Sequence, residues 1–264
     1  MNRHELLRGL HRVYHPRNYL EIGVNDGRSL ALSRVASVAI DPAFKVVTSI
    51  SCDVHLVQST SDDFFARKDP LVHLRRGRNP FRALARRDPL GVLGGDPTLE
   101  LSFIDGMHLF EYALRDFMNV ERHSRWSSVI VLDDMLPRDV DEAARDRHTK
   151  YWTGDVYKLV TVLRKYRPDL VVLEIDTAPT GVAVVFGADP QNTVLQDAYD
   201  DILKEYVTPD PQAVPDEVLV RKHAARPEAL LAADFWPALI RARNLRRPRA
   251  GFERLRGQIA ALSG

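Results

Sequence analysis

The sequence predicts an α/β protein built on a doubly wound, mostly parallel sheet. Three observations carry this. Short apolar runs alternate with helical patterns through residues 18–187. The runs are apolar almost without interruption, as in strands covered on both faces. Four of them end in a carboxylate or a glycine turn, at the edge where open α/β sheets bind ligands. Alternating strands and helices imply parallel pairing through right-handed crossovers.

In order, Leu6, Leu7, Leu10 and Val13 take helical spacing, and Pro16 ends that helix. "NYLEIG" (18–23) is a short buried strand, after which "VNDGRS" turns into a helix over "SLALSRV". "ASVAID" (36–41) and "DVHLVQST" (53–60) are the second and third strands. "SDDFFA" opens a helix with Ser61 as its N-cap. Residues 67–98, rich in Arg, Pro and Gly, break the rhythm. "LELSFID" (99–105) is the fourth strand, and 109–122 is an amphipathic helix. "SSVIVLDDM" (127–135) is the most hydrophobic strand, and "DVYKLVTVLRKY" (155–166) is a helix. "DLVVLEI" (169–175) and "GVAVVFG" (181–187) are joined by "DTAPT", too short for a crossover helix. One of them therefore runs antiparallel. Helical patterns such as "TVLQDAYDDILKEYV" and "PEALLAADFWPALIRARN" fill the remainder, and there is no internal repeat. The expected organisation is one domain over 1–190 with a basic insertion at 67–98, and a helical extension over 191–264 packed on it.

Composition sets the outer limits. The chain has 264 residues, with 37 Lys and Arg against 36 Asp and Glu, a formal net charge of +1. That balance argues against nucleic-acid binding by bulk charge. The single cysteine, Cys52, excludes an internal disulfide and gives no support to a Cys-based zinc site. The charged start, "MNRHELLRGLHRVYHPRN", lacks the apolar core of a signal peptide, and no run is long enough to span a bilayer. A cytoplasmic protein with no membrane partner is expected.

The chemistry gathers at the strand ends. Gly23 and Gly27 let the backbone turn tightly after the first strand. A dinucleotide fingerprint would need further glycines where Asn25 and Arg28 stand, so the pyrophosphate cradle is missing. Asp41, ending the second strand, can accept hydrogen bonds from ribose hydroxyls. A nucleoside without a pyrophosphate suits this pair; alternatively Gly27 only opens a helix and Asp41 only caps a turn. Asp133 and Asp134 end an apolar strand, where two adjacent carboxylates are costly unless paired or metal-bound. Asp105, from the neighbouring strand end, supplies a third. Three hard carboxylates without a thiolate suit Mg²⁺, unless one of the pair simply caps the next segment. His108, at the start of the following helix, is the candidate base, a structural or solvated histidine being the alternative.

Together "YLEIGVNDGRS", "AIDP", "FIDGMHLFEYALRDF", "VIVLDD" and "GDVYKLVTVLRKYRPDLVVLEIDTAPTGVAVV" resemble the class I S-adenosylmethionine-dependent methyltransferases. The branch with Mg²⁺-dependent sugar O-methyltransferases of macrolide and saccharide biosynthesis is most similar. The resemblance spans roughly residues 18–187. It implies a Rossmann-like sheet of seven strands, one of them antiparallel. It implies S-adenosylmethionine held by Glu21, Gly23, Asn25, Gly27, Ser29, Asp41, Ser61 and Asp62. It places Asp105, Asp133 and Asp134 on the metal carboxylates, with Asp105 and His108 as catalytic residues. The implied reaction is methyl transfer to a sugar hydroxyl, the acceptor being a small molecule or oligosaccharide. Tyr151 and Trp152 offer a stacking surface for a sugar ring, and core packing is the alternative for both. The basic insertion reads as a lid beside the site that meets an anionic or polar acceptor, with a solvated helical face as the alternative, and the tail as a cover or a homo-oligomer surface. The competing functions are a nicotinamide-dependent oxidoreductase, which the missing third glycine argues against, and a non-catalytic cofactor-binding protein.

Overall fold

The computed structural model describes residues 1–76 and 97–263. Among the described residues the chain opens with α1 (Arg3–Tyr14) and β1 (Asn18–Ile22), followed by β2 (Ala36–Ile40), β3 (Val54–Val57), α2 (Ser61–Phe65) and α3 (Val72–Arg76). β4 (Leu101–Ile104), α4 (Phe110–Arg122), β5 (Val129–Asp133), α5 (Lys158–Tyr166), β6 (Val171–Ile175) and β7 (Val182–Phe186) complete the sheet region. The tail holds α6 (Val194–Asp197), α7 (Tyr199–Tyr206), α8 (Asp216–Leu219), α9 (Pro227–Leu231), α10 (Trp236–Asn244) and α11 (Glu253–Ala260).

The strands form one seven-stranded sheet in the order β3-β2-β1-β4-β5-β7-β6. All pairings from β3 to β5 are parallel, and β7 runs antiparallel to both β5 and β6. This is the Rossmann-like, doubly wound architecture expected from the sequence. Its apolar strands follow from burial on both faces. In β5, Ile130 and Leu132 point into one core, while Val129 and Val131 point into the other. The first core includes Phe110, Leu114 and Phe117 of α4 with Leu159 and Leu163 of α5. The second includes Leu6, Leu7 and Leu10 of α1 with Trp236, Leu239, Phe252 and Ile259 of the tail. No helix among the described residues is long and apolar enough to cross a membrane.

Four local expectations are revised. "SLALSRV" forms only a 3-10 turn at Leu30–Leu32, because β2 begins at Ala36 and leaves no length for a helix. α1 packs on that turn and covers this face instead. Thr60, not Ser61, caps α2, its side chain accepting from the Asp63 N–H. "TVLQDAYDDILKEYV" is interrupted at Ala198, and "PEALLAADFWPALIRARN" divides before Trp236. Pro237 sits in the first turn of α10, the part of a helix that tolerates proline. α1 itself is well specified: Asn2 and Glu5 form a reciprocal capping box. Most of the basic insertion, with Arg78, Arg82, Arg86 and Arg87, lies outside the described residues.

Candidate functional site

The strand order reverses between β1 and β4, which opens a crevice at their carboxyl ends. A cavity of about 700 Å³ lies there. Sites for small ligands commonly fall between about 300 and 1,000 Å³. Gly23 follows β1 with φ +87°, and a Cβ on it would stand 1.7 Å from the Asp105 carbonyl oxygen. This glycine lets the ends of β1 and β4 meet. Gly27, at φ +82°, is pressed against Val46 rather than open to the cavity.

Asp41 organises the same loop. Its Oδ2 accepts from the Val24 and Asn25 N–H groups at 2.8 Å each, and its Oδ1 from the Ala43 N–H at 2.7 Å. A carboxylate has about four acceptor positions, so one remains, and Asp41 lines the cavity. Asn25 also lines it, with a left-handed φ of +46°. Ser61 and Asp62 complete this end of the wall. Ser61 donates to buried Asp116, while Asp62 accepts from Arg115 at 2.9 Å. Glu21 and Ser29 lie off the cavity wall. Glu21 is fully buried and accepts from the Tyr19 hydroxyl at 2.6 Å and the Ser29 hydroxyl at 2.9 Å. Burial pushes its carboxyl up to about 8.

The acids after β4 and β5 form the centre of the site. Asp105, His108 and Asp134 bring one potential ligand atom each within 4.8 Å of one another. His108 Nε2 is 3.4 Å from Asp105, and its Nδ1 is 3.2 Å from Asp134. Burial alone would lower the His108 pKa, but the Asp105 hydrogen bond and the charges of Asp134 and Asp105 raise it to about 9. Asp134 is raised to about 6 by burial and the Asp105 charge, against His108 and the Thr180 hydroxyl. Its φ of +62° is an uncommon conformation for a residue with a side chain. Asp133, the residue before it, does not line the main cavity. Its carboxylate is 2 % exposed and is held by Arg3, whose guanidinium also stands 3.5 Å from Asp105. Arg3 and His108 are thus the cations that offset three carboxylates.

His108 is gripped by the 145–158 segment. Trp152 stacks on its ring at 5.1 Å and 8°, and the Trp152 carbonyl lies 2.9 Å from His108 Nδ1. Gly154 makes that approach feasible: at φ +62°, a Cβ would sit 1.6 Å from the His108 carbonyl oxygen. Asp155, fully buried, accepts from the Phe110 N–H at 2.8 Å and so caps α4 beside His108. Arg145 and Lys158 hold Asp155 at 2.7 and 3.1 Å. Tyr151 is 47 % exposed and lies between Arg138 and Lys150, at the cavity's other end.

Of the residues singled out in the sequence, Gly23, Asn25, Asp41, Ser61, Asp62, Asp105, His108, Asp134, Tyr151 and Trp152 line one cavity. Glu21, Gly27, Ser29 and Asp133 do not. Arg3, Asp116, Arg147, Lys150 and Thr180 line it too and were not foreseen. Arg3 belongs to an amphipathic helix far upstream and carries no local signal.

No family model matches this chain, and no curated protein does. Among solved structures it is similar to the O-methyltransferase TomG from Streptomyces achromogenes in complex with SAM, at 18% identity over 70% of this chain and 79% of that one, TM-score 0.40. Cofactor-bound Rv0187 from MTB aligns at 16% identity over 72% of this chain and 82% of that one, TM-score 0.44. The MycE methyltransferase of mycinamycin biosynthesis, in complex with Mg, SAH and mycinamycin VI, aligns at 16% identity, TM-score 0.41. There the match covers 83% of this chain but only 53% of that one.

Proposed function

We propose that the chain is an S-adenosylmethionine-dependent, Mg²⁺-dependent O-methyltransferase acting on a sugar hydroxyl. One observation carries the reading: a single cavity joins a nucleoside-sized polar end, at Asp41 and Ser61, to the Asp105–His108–Asp134 cluster. The remaining acceptor position of Asp41 suits a ribose hydroxyl, and Ser61 and Asp62 suit the polar edge of a base. S-adenosylmethionine supplies an already activated sulfonium methyl group. Asp105 and Asp134 would hold Mg²⁺, whose chemistry at that place is to stabilise a developing alkoxide.

The chain's own residues do the rest. His108 accepts the hydroxyl proton when its ring is neutral. Trp152 and the Gly154 turn keep that ring in place. Arg3 holds Asp133 and balances the charge of both Asp133 and Asp105. Alignment of acceptor oxygen with the methyl group supplies much of the rate.

The test is methyl transfer to a panel of glycosides, with and without chelator. Activity is expected to vanish with chelator and return with Mg²⁺. Asp134→Asn and His108→Ala should each lower kcat by about 10²–10⁴-fold. Full turnover in either variant would sink the mechanism. The cluster's geometry also favours a second reading, with His108 as a third metal ligand. Mg²⁺ affinity of His108→Ala separates the two: unchanged for a base, weakened for a ligand.

A further inference from the structure

We infer that the acceptor carries an anionic group, a carboxylate or phosphate, bound by Arg147 and Lys150 at the rim of the cavity. This rests on the methyltransferase reading and extends it to the class of substrate. Both side chains line the same cavity as His108 and the carboxylates, together with Tyr151, Trp152, Pro179 and Thr180. They lie in the segment that carries Trp152 onto His108, whereas Asp41 and Ser61 follow β2 and β3. Their ligand is therefore the acceptor rather than the nucleoside.

Their electrostatic setting differs from that of the cations around them. Arg138, in the same segment, is paired with Glu142, and Arg145 with Glu111 and Asp155. Inside the cavity, Arg3 is taken by Asp133 and Asp105. Among the described residues no carboxylate pairs with Arg147 or Lys150. Their contacts are instead to aromatic faces: Arg147 lies 5.7 Å from the Trp152 ring centre and Lys150 5.4 Å from that of Tyr151. Such contacts orient a cation without neutralising it. Two oriented, uncompensated cations on a concave wall attract anions to that wall. A guanidinium and an ammonium also supply the donors that carboxylate and phosphate oxygens accept. A neutral glycoside offers these groups hydroxyl acceptors but no charge to match theirs. The fit is to an acidic saccharide such as a uronate or a sugar phosphate, its hydroxyl delivered to His108 while its charge stays at the rim.

The experiment is isothermal titration of the full chain with S-adenosylhomocysteine and Mg²⁺ present. The probes are glucuronate, glucose 6-phosphate and methyl glucoside. At low salt, at least one anionic probe is expected to bind about tenfold or more tighter than methyl glucoside. The preferred probe tells carboxylate from phosphate. In the Arg147→Gln/Lys150→Gln double variant the preference should fall to about twofold or less, with S-adenosylhomocysteine affinity unchanged. Equal affinity for all probes, no binding of either anionic probe, or a preference that survives in the double variant overturns the inference while S-adenosylhomocysteine binding stands. A chain that binds no S-adenosylhomocysteine overturns the methyltransferase reading, and this inference with it.

Discussion

His108 shows how a residue legible in sequence is made usable by residues that are not. Its position after Asp105 is visible in "FIDGMH", but its orientation depends on Trp152 and on the glycine two residues later. Gly154→Ala places a methyl group where the His108 carbonyl stands, in a left-handed conformation as well. We expect kcat to fall by about tenfold or more with S-adenosylmethionine affinity retained; equal loss of both would mean general misfolding. Glu21 offers a test by pH. Its carboxyl rises from 4.5 to about 8 on burial, and that of Asp116 from 3.8 to about 7 for the same reason. The folded chain holds these protons where the unfolded chain releases them. Their contribution is complete below the unfolded values and is lost as pH rises through the folded ones. His11 works the other way, lowered by burial from 6.5 to about 4, and stops opposing them above pH 6.5. Stability should therefore decline from pH 6.5 through about 8, the folded value of Glu21, and His108, despite its burial raised from 6.5 to about 9 by Asp105 and Asp134, adds to the decline. The share of Glu21 is on the order of 1–3 kcal/mol. Glu21→Gln should lessen the fall in urea titrations; an unchanged slope would show that Glu21 does not contribute to it.

At the scale of elements, α1 does more than cover the sheet. Its apolar face was readable from Leu6, Leu7 and Leu10, and its start from the Asn2–Glu5 pattern. That the same helix delivers Arg3 to the carboxylates could not be read, because no sequence rule fixes how α1 crosses the strand ends. Arg3→Ala leaves Asp133 buried without its cation, and should cost on the order of 1–3 kcal/mol. In Arg3→Ala/Asp133→Asn the charge is gone with its partner, so the double variant should be more stable than the sum of the single losses. Strict additivity in chemical denaturation would mean that the pair does not interact. The β5–loop junction was partly legible. Two aspartates at a strand end signalled a site, but they take different partners, Asp134 with His108 and Asp133 with Arg3.

For the whole molecule, the tail is part of the second core. Phe252 is fully buried, with Trp126 at 5.8 Å, and Trp236 packs 5.9 Å from Phe186 of β7. Gly187 at the end of β7 would drive a Cβ into the Phe252 ring at 2.4 Å. Phe252→Ala should destabilise the entire chain by about 3–5 kcal/mol, in a single denaturation transition shared by the sheet. A separate early transition would instead mark the tail as an independent unit.

The sequence by itself determined the order and type of the sheet elements, because a strand buried on both faces must be apolar and a short connection must reverse direction. It also pointed to the strand ends as the candidate site, and Asp41, Asp105 and Asp134, which interrupt apolar runs there, line one cavity. Only the tertiary structure decided which side chains share a cavity. Glu21 and Ser29 turned out to satisfy each other in the core, and Asp133 to satisfy Arg3. Arg147 and Lys150, unmarked in a polar segment, came to line the same cavity, with aromatic faces but no carboxylate beside them among the described residues. Periodicity encodes which face is buried; it does not encode which distant charge arrives to meet it.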